Sequence, residues 1–215
     1  MRTRLSRGDL LSVAVLCVVW IGIWGPWIPD RAAALSQNAL YLAEWSGVLP
    51  DVPSGLVMSM PDLLRLAVML SALALFVVLG AVRFGWVRWA MRGFAALVGL
   101  VLLPPYPFVL QLWSGSYGTQ FTIAVVVFVG LGASLLVDRL TVQVRRSIVI
   151  GLSVCAAGLG AWAFLKLRLP FEAHYAAPIM PGWGALAFVG GLAAAVLLEA
   201  VVMVRHSRQR AALMV

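Results

Sequence analysis

Six long stretches of this chain carry almost no polar side chains: about 10–28, 63–82, 93–113, 119–137, 147–165 and 183–204. A bilayer core of about 30 Å takes roughly 20 mostly apolar residues to cross as a helix. None of the six alternates at period two as a barrel strand would, and Leu, Val and Ala dominate throughout. Lipid offers backbone amides no partner, so uncharged segments of this length must satisfy their hydrogen bonds internally, as helices. The pattern predicts an all-α fold: a polytopic transmembrane helical bundle of six spans, forming a single membrane domain over 1–215.

Two places interrupt the pattern. Pro104, Pro105 and Pro107 cut the third span. Residues 93–103 alone rise only about 16 Å, too short to cross. A re-entrant hairpin there would invert everything downstream and put Arg139, Arg145 and Arg146 outside. A full crossing with a broken helix is therefore expected. The arginine-rich start, its apolar run and Ala32-Ala33-Ala34 resemble a secretory signal with a small-residue cleavage site. That run spans about 19 residues, however, against 7–15 for signal cores. It also holds Trp20, Trp24, Pro26 and Trp27 near its end, so it is expected to remain as the first span.

The longest loop, about 29–62, has its own periodicity. Leu35, Ala39 and Leu42 fall on one helical side and Gln37, Tyr41 and Glu44 on the other. With Pro29 and a capping Asp30 before it, an amphipathic helix over about 31–46 is expected, lying on the outer membrane surface or on the bundle. Asp62 is expected to cap the second span and to pair with Arg65 at i, i+3.

Composition narrows the class. The chain has 215 residues, 63% hydrophobic and 11% charged, against about 45–50% and 25% in soluble domains. So much apolar surface fits no single soluble core and excludes intrinsic disorder. Two cysteines exclude a disulfide framework and a cysteine-based zinc site. Cys17 and Cys155 both lie among apolar neighbours and read as inert packing.

The net charge of +8 describes topology rather than a nucleic-acid face. Arg2, Arg4 and Arg7 precede the first span. Arg83, Arg88 and Arg92 separate spans two and three, while Arg139, Arg145 and Arg146 separate four and five. Arg205, Arg208 and Arg210 follow the sixth. Twelve of the sixteen Lys and Arg thus share one side, with Arg31, Arg65, Lys166 and Arg168 opposite. The positive-inside rule makes that side cytoplasmic, and an even number of spans returns both termini to it.

Catalytic chemistry finds few residues to work with. The two histidines, His174 and His206, lie outside the spans, which argues against a bis-histidine haem. Glu172 and His174 are two ligands where a zinc site takes three or four. There is no nucleophile elbow, no phosphate-binding glycine loop, and all five aspartates lie at or beyond span ends. Ser153, Ala157 and Ala161, like Gly130 and Ser134, form small-residue stripes that promote helix packing.

Three features rise above that background. Glu199 lies inside the sixth span and continues the stripe Ala187, Gly191, Ala195. It should face the bundle, either as a site of proton, ion or ligand coupling or in an ion pair with an arginine from the cytoplasmic end of span two, three or five. The segment Pro104, Pro105, Tyr106, Pro107, with Gln111 and Trp113 following, either exposes backbone groups to a substrate or simply ends a helix. Finally, seven of nine tryptophans and all four tyrosines fall on the outer side, including Tyr41 and Trp45 beside Glu44. That exceeds an ordinary aromatic belt and suits a partner or a flat apolar ligand such as a lipid, quinone or pigment.

The leading expectation is a non-catalytic subunit or assembly factor of a larger complex in a cytoplasmic-type membrane, contacting lipids and other membrane subunits. The alternatives are a small carrier using the broken third span or Glu199, and a lipid-acting enzyme using outer-loop Glu44, Glu172 and His174.

Overall fold

The computed structural model describes residues 7–29, 36–46, 58–79, 85–103 and 118–212. These form seven α-helices: α1 (Arg7–Trp24), α2 (Ala39–Ser46), α3 (Met60–Leu79), α4 (Gly85–Val101), α5 (Gly118–Ala133), α6 (Val142–Tyr175) and α7 (Trp183–Ala212). A 3₁₀ turn, Ser134–Arg139, follows α5, and no strand occurs among the described residues. Met60–Leu79, Val142–Tyr175 and Trp183–Arg205 are long and apolar enough to cross a membrane, which is compatible with membrane insertion. Leu10–Trp24 and Gly118–Ala133 are shorter apolar helices.

α3 is the hub. It packs against α1, α2, α4, α5 and α6, and 61% of its apolar window is buried, against 28% for α7. Its buried side chains run almost all the way round, from Leu64 through Ala67, Val68, Ser71, Ala72 and Leu75 to Leu79. α7 packs instead against α1 and α6. The α1–α7 contact depends on absent side chains. A Cβ on Gly22 would lie 2.7 Å from the Phe188 backbone nitrogen, and one on Gly184 would collide with the Gly25 carbonyl. Lipid supplies no hydrophobic drive between helices, so such close backbone approach and the dispersion it gains hold the pair together.

The helix boundaries differ from expectation where polar caps decide them. α3 is capped by Ser59 rather than Asp62: Ser59 Oγ accepts from Asp62 N at 3.3 Å and donates to the Asp62 carboxylate at 2.7 Å. This reciprocal pair moves the start three residues upstream. Asp62 does pair with Arg65, at 3.0 Å. α2 begins at Ala39, not Arg31, because Asn38 Oδ1 accepts from Leu40 N and Tyr41 N. Before it, Gln37 exchanges backbone hydrogen bonds with Ile28 and is buried rather than on a polar outer face. Asp30 lies outside the described residues. α2 buries Ala39, Leu42, Ala43 and Ser46 and leaves Tyr41, Glu44 and Trp45 exposed.

α6 runs on for 34 residues, well past the expected 147–165, a length of about 50 Å. Thr141 caps its start, and Ala176, in the left-handed conformation at φ 50°, ends it. Near that end Glu172 accepts from Ile179 N at 3.0 Å and pairs with Arg168. At the fourth expected span, α5 gives way to the 3₁₀ turn from Ser134. α4 ends at Val101, and residues 104–117 lie outside the described residues.

Candidate functional site

On α7 the residues Phe188, Leu192, Ala195 and Glu199 are all buried, at steps of four, three and four. A helix of 3.6 residues per turn puts them on one face, turned into the bundle. Ala187 and Gly191 flank that face, with Gly191 against Val19 of α1. The small residues let α1 and α6 close over Glu199, which is 2% exposed.

Two side chains meet its carboxylate. Arg146, one turn into α6 and itself buried, donates from Nη1 to Glu199 Oε2 across 53 residues of chain. Ser12 of α1 donates from Oγ to Glu199 Oε1 at 2.5 Å, the short end of the range for a hydroxyl on a carboxylate. The three groups join α1, α6 and α7 at the end of the bundle where α1 begins. Arg146 reaches this place because it opens the buried face of α6, which continues through Val149, Ser153, Ala156, Gly160 and Ala163. Arg145, one position back, is half-buried. The pair is electrically neutral, and the surrounding low dielectric strengthens it while making either charge alone expensive.

Sequence reasoning singled out Glu199 and expected an arginine from the end of span two, three or five beside it, without choosing Arg146, and it missed Ser12. A signal existed: among residues 10–19 Ser12 is the only hydroxyl in an otherwise apolar run, at a depth matching Glu199.

The opposite end is knitted from backbone and aromatics. Trp27 is fully buried, donates Nε1–H to the Gly22 carbonyl at 2.9 Å and packs its ring against Phe164 and Phe188. Gly182 N donates to Trp27 O at 2.8 Å and Gly184 N to Pro26 O at 2.9 Å. Trp27 and Trp20, expected in an outer aromatic surface, therefore belong to the core. Exposed aromatics at this end are Trp24, Tyr41, Trp45, Trp162, Tyr175 and Trp183.

The remaining candidates do not gather around Glu199. Pro104, Pro105, Tyr106, Pro107 and Gln111 lie outside the described residues. Across this segment of the chain, Gln120 of α5 donates Nε2–H to the Leu102 carbonyl at 3.2 Å and so serves an acceptor left over where α4 stops. Glu44 and Trp45 face outward on α2. Glu172 is engaged with Arg168 and Ile179, while His174 is exposed with its ring edge-on to Tyr175. Among the described residues no group of three or more His, Cys, Asp or Glu could hold a metal ion. No family model, curated protein or solved structure matches this chain.

Proposed function

We propose that this chain is a six-span protein of a cytoplasmic-type membrane, both termini cytoplasmic, acting without catalysis as a subunit or assembly factor of a larger membrane complex. The observation that carries this reading is the exposed aromatic set around α2 and the adjoining ends of α1, α6 and α7. Trp24, Tyr41, Trp45, Trp162, Tyr175 and Trp183 are all at least 42% exposed, while the helix-borne carboxylate of Glu199 is matched inside the chain. Large amphipathic rings turned outward fit docking of another membrane subunit, or of a flat apolar ligand such as a lipid or quinone held at that contact. The clustering of arginines at the other end supports the orientation.

The test is solubilisation in mild detergent with native lipid, with a photo-crosslinking residue at position 45. A defined membrane subunit should copurify and crosslink there. A chain that always runs as a free monomer overturns the reading. A small carrier is the second reading, favoured by the buried carboxylate of Glu199; transport unchanged by Glu199→Gln in vesicles removes its ion-coupled form.

A further inference from the structure

Ser12 has one hydroxyl hydrogen and two acceptors within reach: Glu199 Oε1 at 2.5 Å and the Gly8 carbonyl at 3.0 Å. A hydroxyl donates once and accepts through two lone pairs. With Glu199 ionised, the hydrogen goes to Oε1. With Glu199 neutral, a proton on Oε1 is donated to Ser12 Oγ, and the Ser12 hydrogen turns to Gly8 O. Both contacts are then hydrogen bonds at once. The two carboxylate oxygens are thus provided for differently. Oε2 faces Arg146, a group that only donates. Oε1 faces a group that serves either protonation state without moving an atom heavier than hydrogen.

We propose that Glu199 is a reversible proton-binding site, taking the proton on Oε1, with Ser12 as its hydrogen-bond switch and Arg146 as its counter-charge. The Oε1–H bond forms as one O–H bond of hydronium breaks and leaves water, at the end of the bundle where α7 carries exposed Arg205. Among the described side chains, the charged and titratable groups on the helices around Glu199 are these. α7 packs against α1 and α6. From α6 the facing group is Arg146, with Arg145 beside it in sequence. From α1 it is Ser12, with Cys17 five residues further in; the Arg7 and Asp9 side chains lie outside the described ones. α7 itself adds Arg205; the side chains of His206, Arg208 and Arg210 on the same helix lie outside the described ones. Proton uptake removes the negative charge that Arg146 faces on α7 and so weakens the link between α6 and α7. The site therefore ties one bound proton to the closure of α1, α6 and α7 at this end. This goes beyond the docking role and stands whether or not that role holds.

The chain has three glutamates, Glu44, Glu172 and Glu199, so the carboxyl can be watched alone. A Glu44→Gln, Glu172→Gln chain, made by cell-free synthesis with carboxyl-labelled glutamate and reconstituted in phosphatidylcholine vesicles, leaves Glu199 as the one labelled acid. Infrared difference spectra across pH steps should show its acid carbonyl band appear and vanish reversibly with helix content unchanged. Ser12→Ala should displace that band, because the acid loses its acceptor, and Ser12→Thr should restore it. A carboxylate that stays ionised until the helices unfold overturns the proton site. A band unmoved by Ser12→Ala overturns the switch. The identically labelled triple variant Glu44→Gln, Glu172→Gln, Glu199→Gln, which has no labelled acid, supplies the blank.

Discussion

Arg146 and Glu199 meet inside the bundle, each less than a tenth exposed, and so tie the start of α6 to α7. Neither charge has bulk water to fall back on. Arg146→Gln or Glu199→Gln alone should cost about 3–5 kcal/mol, since each removes one member of a buried charge pair and leaves the other charged. The apolar double variant Arg146→Met, Glu199→Leu should recover most of that loss or exceed the wild type, because replacing a whole buried pair removes its desolvation cost. Equilibrium unfolding in micelles measures all three. Single variants that unfold like the wild type would show that water reaches the pair.

The helical class, the burial of Glu199 and the identity of the end that holds its partner were all readable before the structure. Each follows from short-range periodicity and charge placement. Which arginine answers Glu199 was not readable. Six lay at candidate span ends, and the choice rests on the rotational phase of α6, where Arg146 falls on the buried face and Arg145 beside it. Ser12 was hidden for a related reason: one hydroxyl in an apolar run gains meaning only when α1 is set against α7. The aromatic tally failed differently. Sequence places Trp20 and Trp27 at a depth but says nothing of facing, and the close approach of Gly22 and Gly25 to α7 draws both rings into the core.

The same approach separates two glycines that look alike in sequence. A Cβ on Gly22 would press on the Phe188 nitrogen at 2.7 Å and the Gly184 carbonyl at 2.8 Å, and backbone cannot swing aside as a side-chain tip can. Gly22→Ala should destabilise by about 1–3 kcal/mol. Gly190, with nothing within 4 Å of its Cβ, should tolerate alanine and gain up to about 1 kcal/mol from helix propensity. Unfolding of the two variants side by side checks the difference in sign.

Gln120 holds the end of α4 through one hydrogen bond to Leu102, and it is itself only 4% exposed. Gln120→Leu keeps the bulk but leaves the carbonyl without that donor, at a cost of about 1–3 kcal/mol. The loss should be local. Amide hydrogen exchange should quicken around residues 100–103 while α6 and α7 keep their protection. Equal loosening throughout would mean that Gln120 supports the whole bundle and not this one helix end.

Tyr41 and Trp45 allow docking and folding to be separated. Both are more than half exposed on α2, whereas Trp27, at the same end, is fully buried against Phe164 and Phe188. Trp27→Ala should cost about 3–5 kcal/mol through lost packing and an opened cavity. The double variant Tyr41→Ala, Trp45→Ala removes comparable aromatic area but nothing from the core, so stability should stay within about 0.5 kcal/mol. If these rings are the docking surface, the same double variant should lose its copurifying subunit while keeping wild-type helix content. A double variant that still brings down its partner at wild-type yield would move the contact away from α2 and leave these rings as ordinary interface anchors.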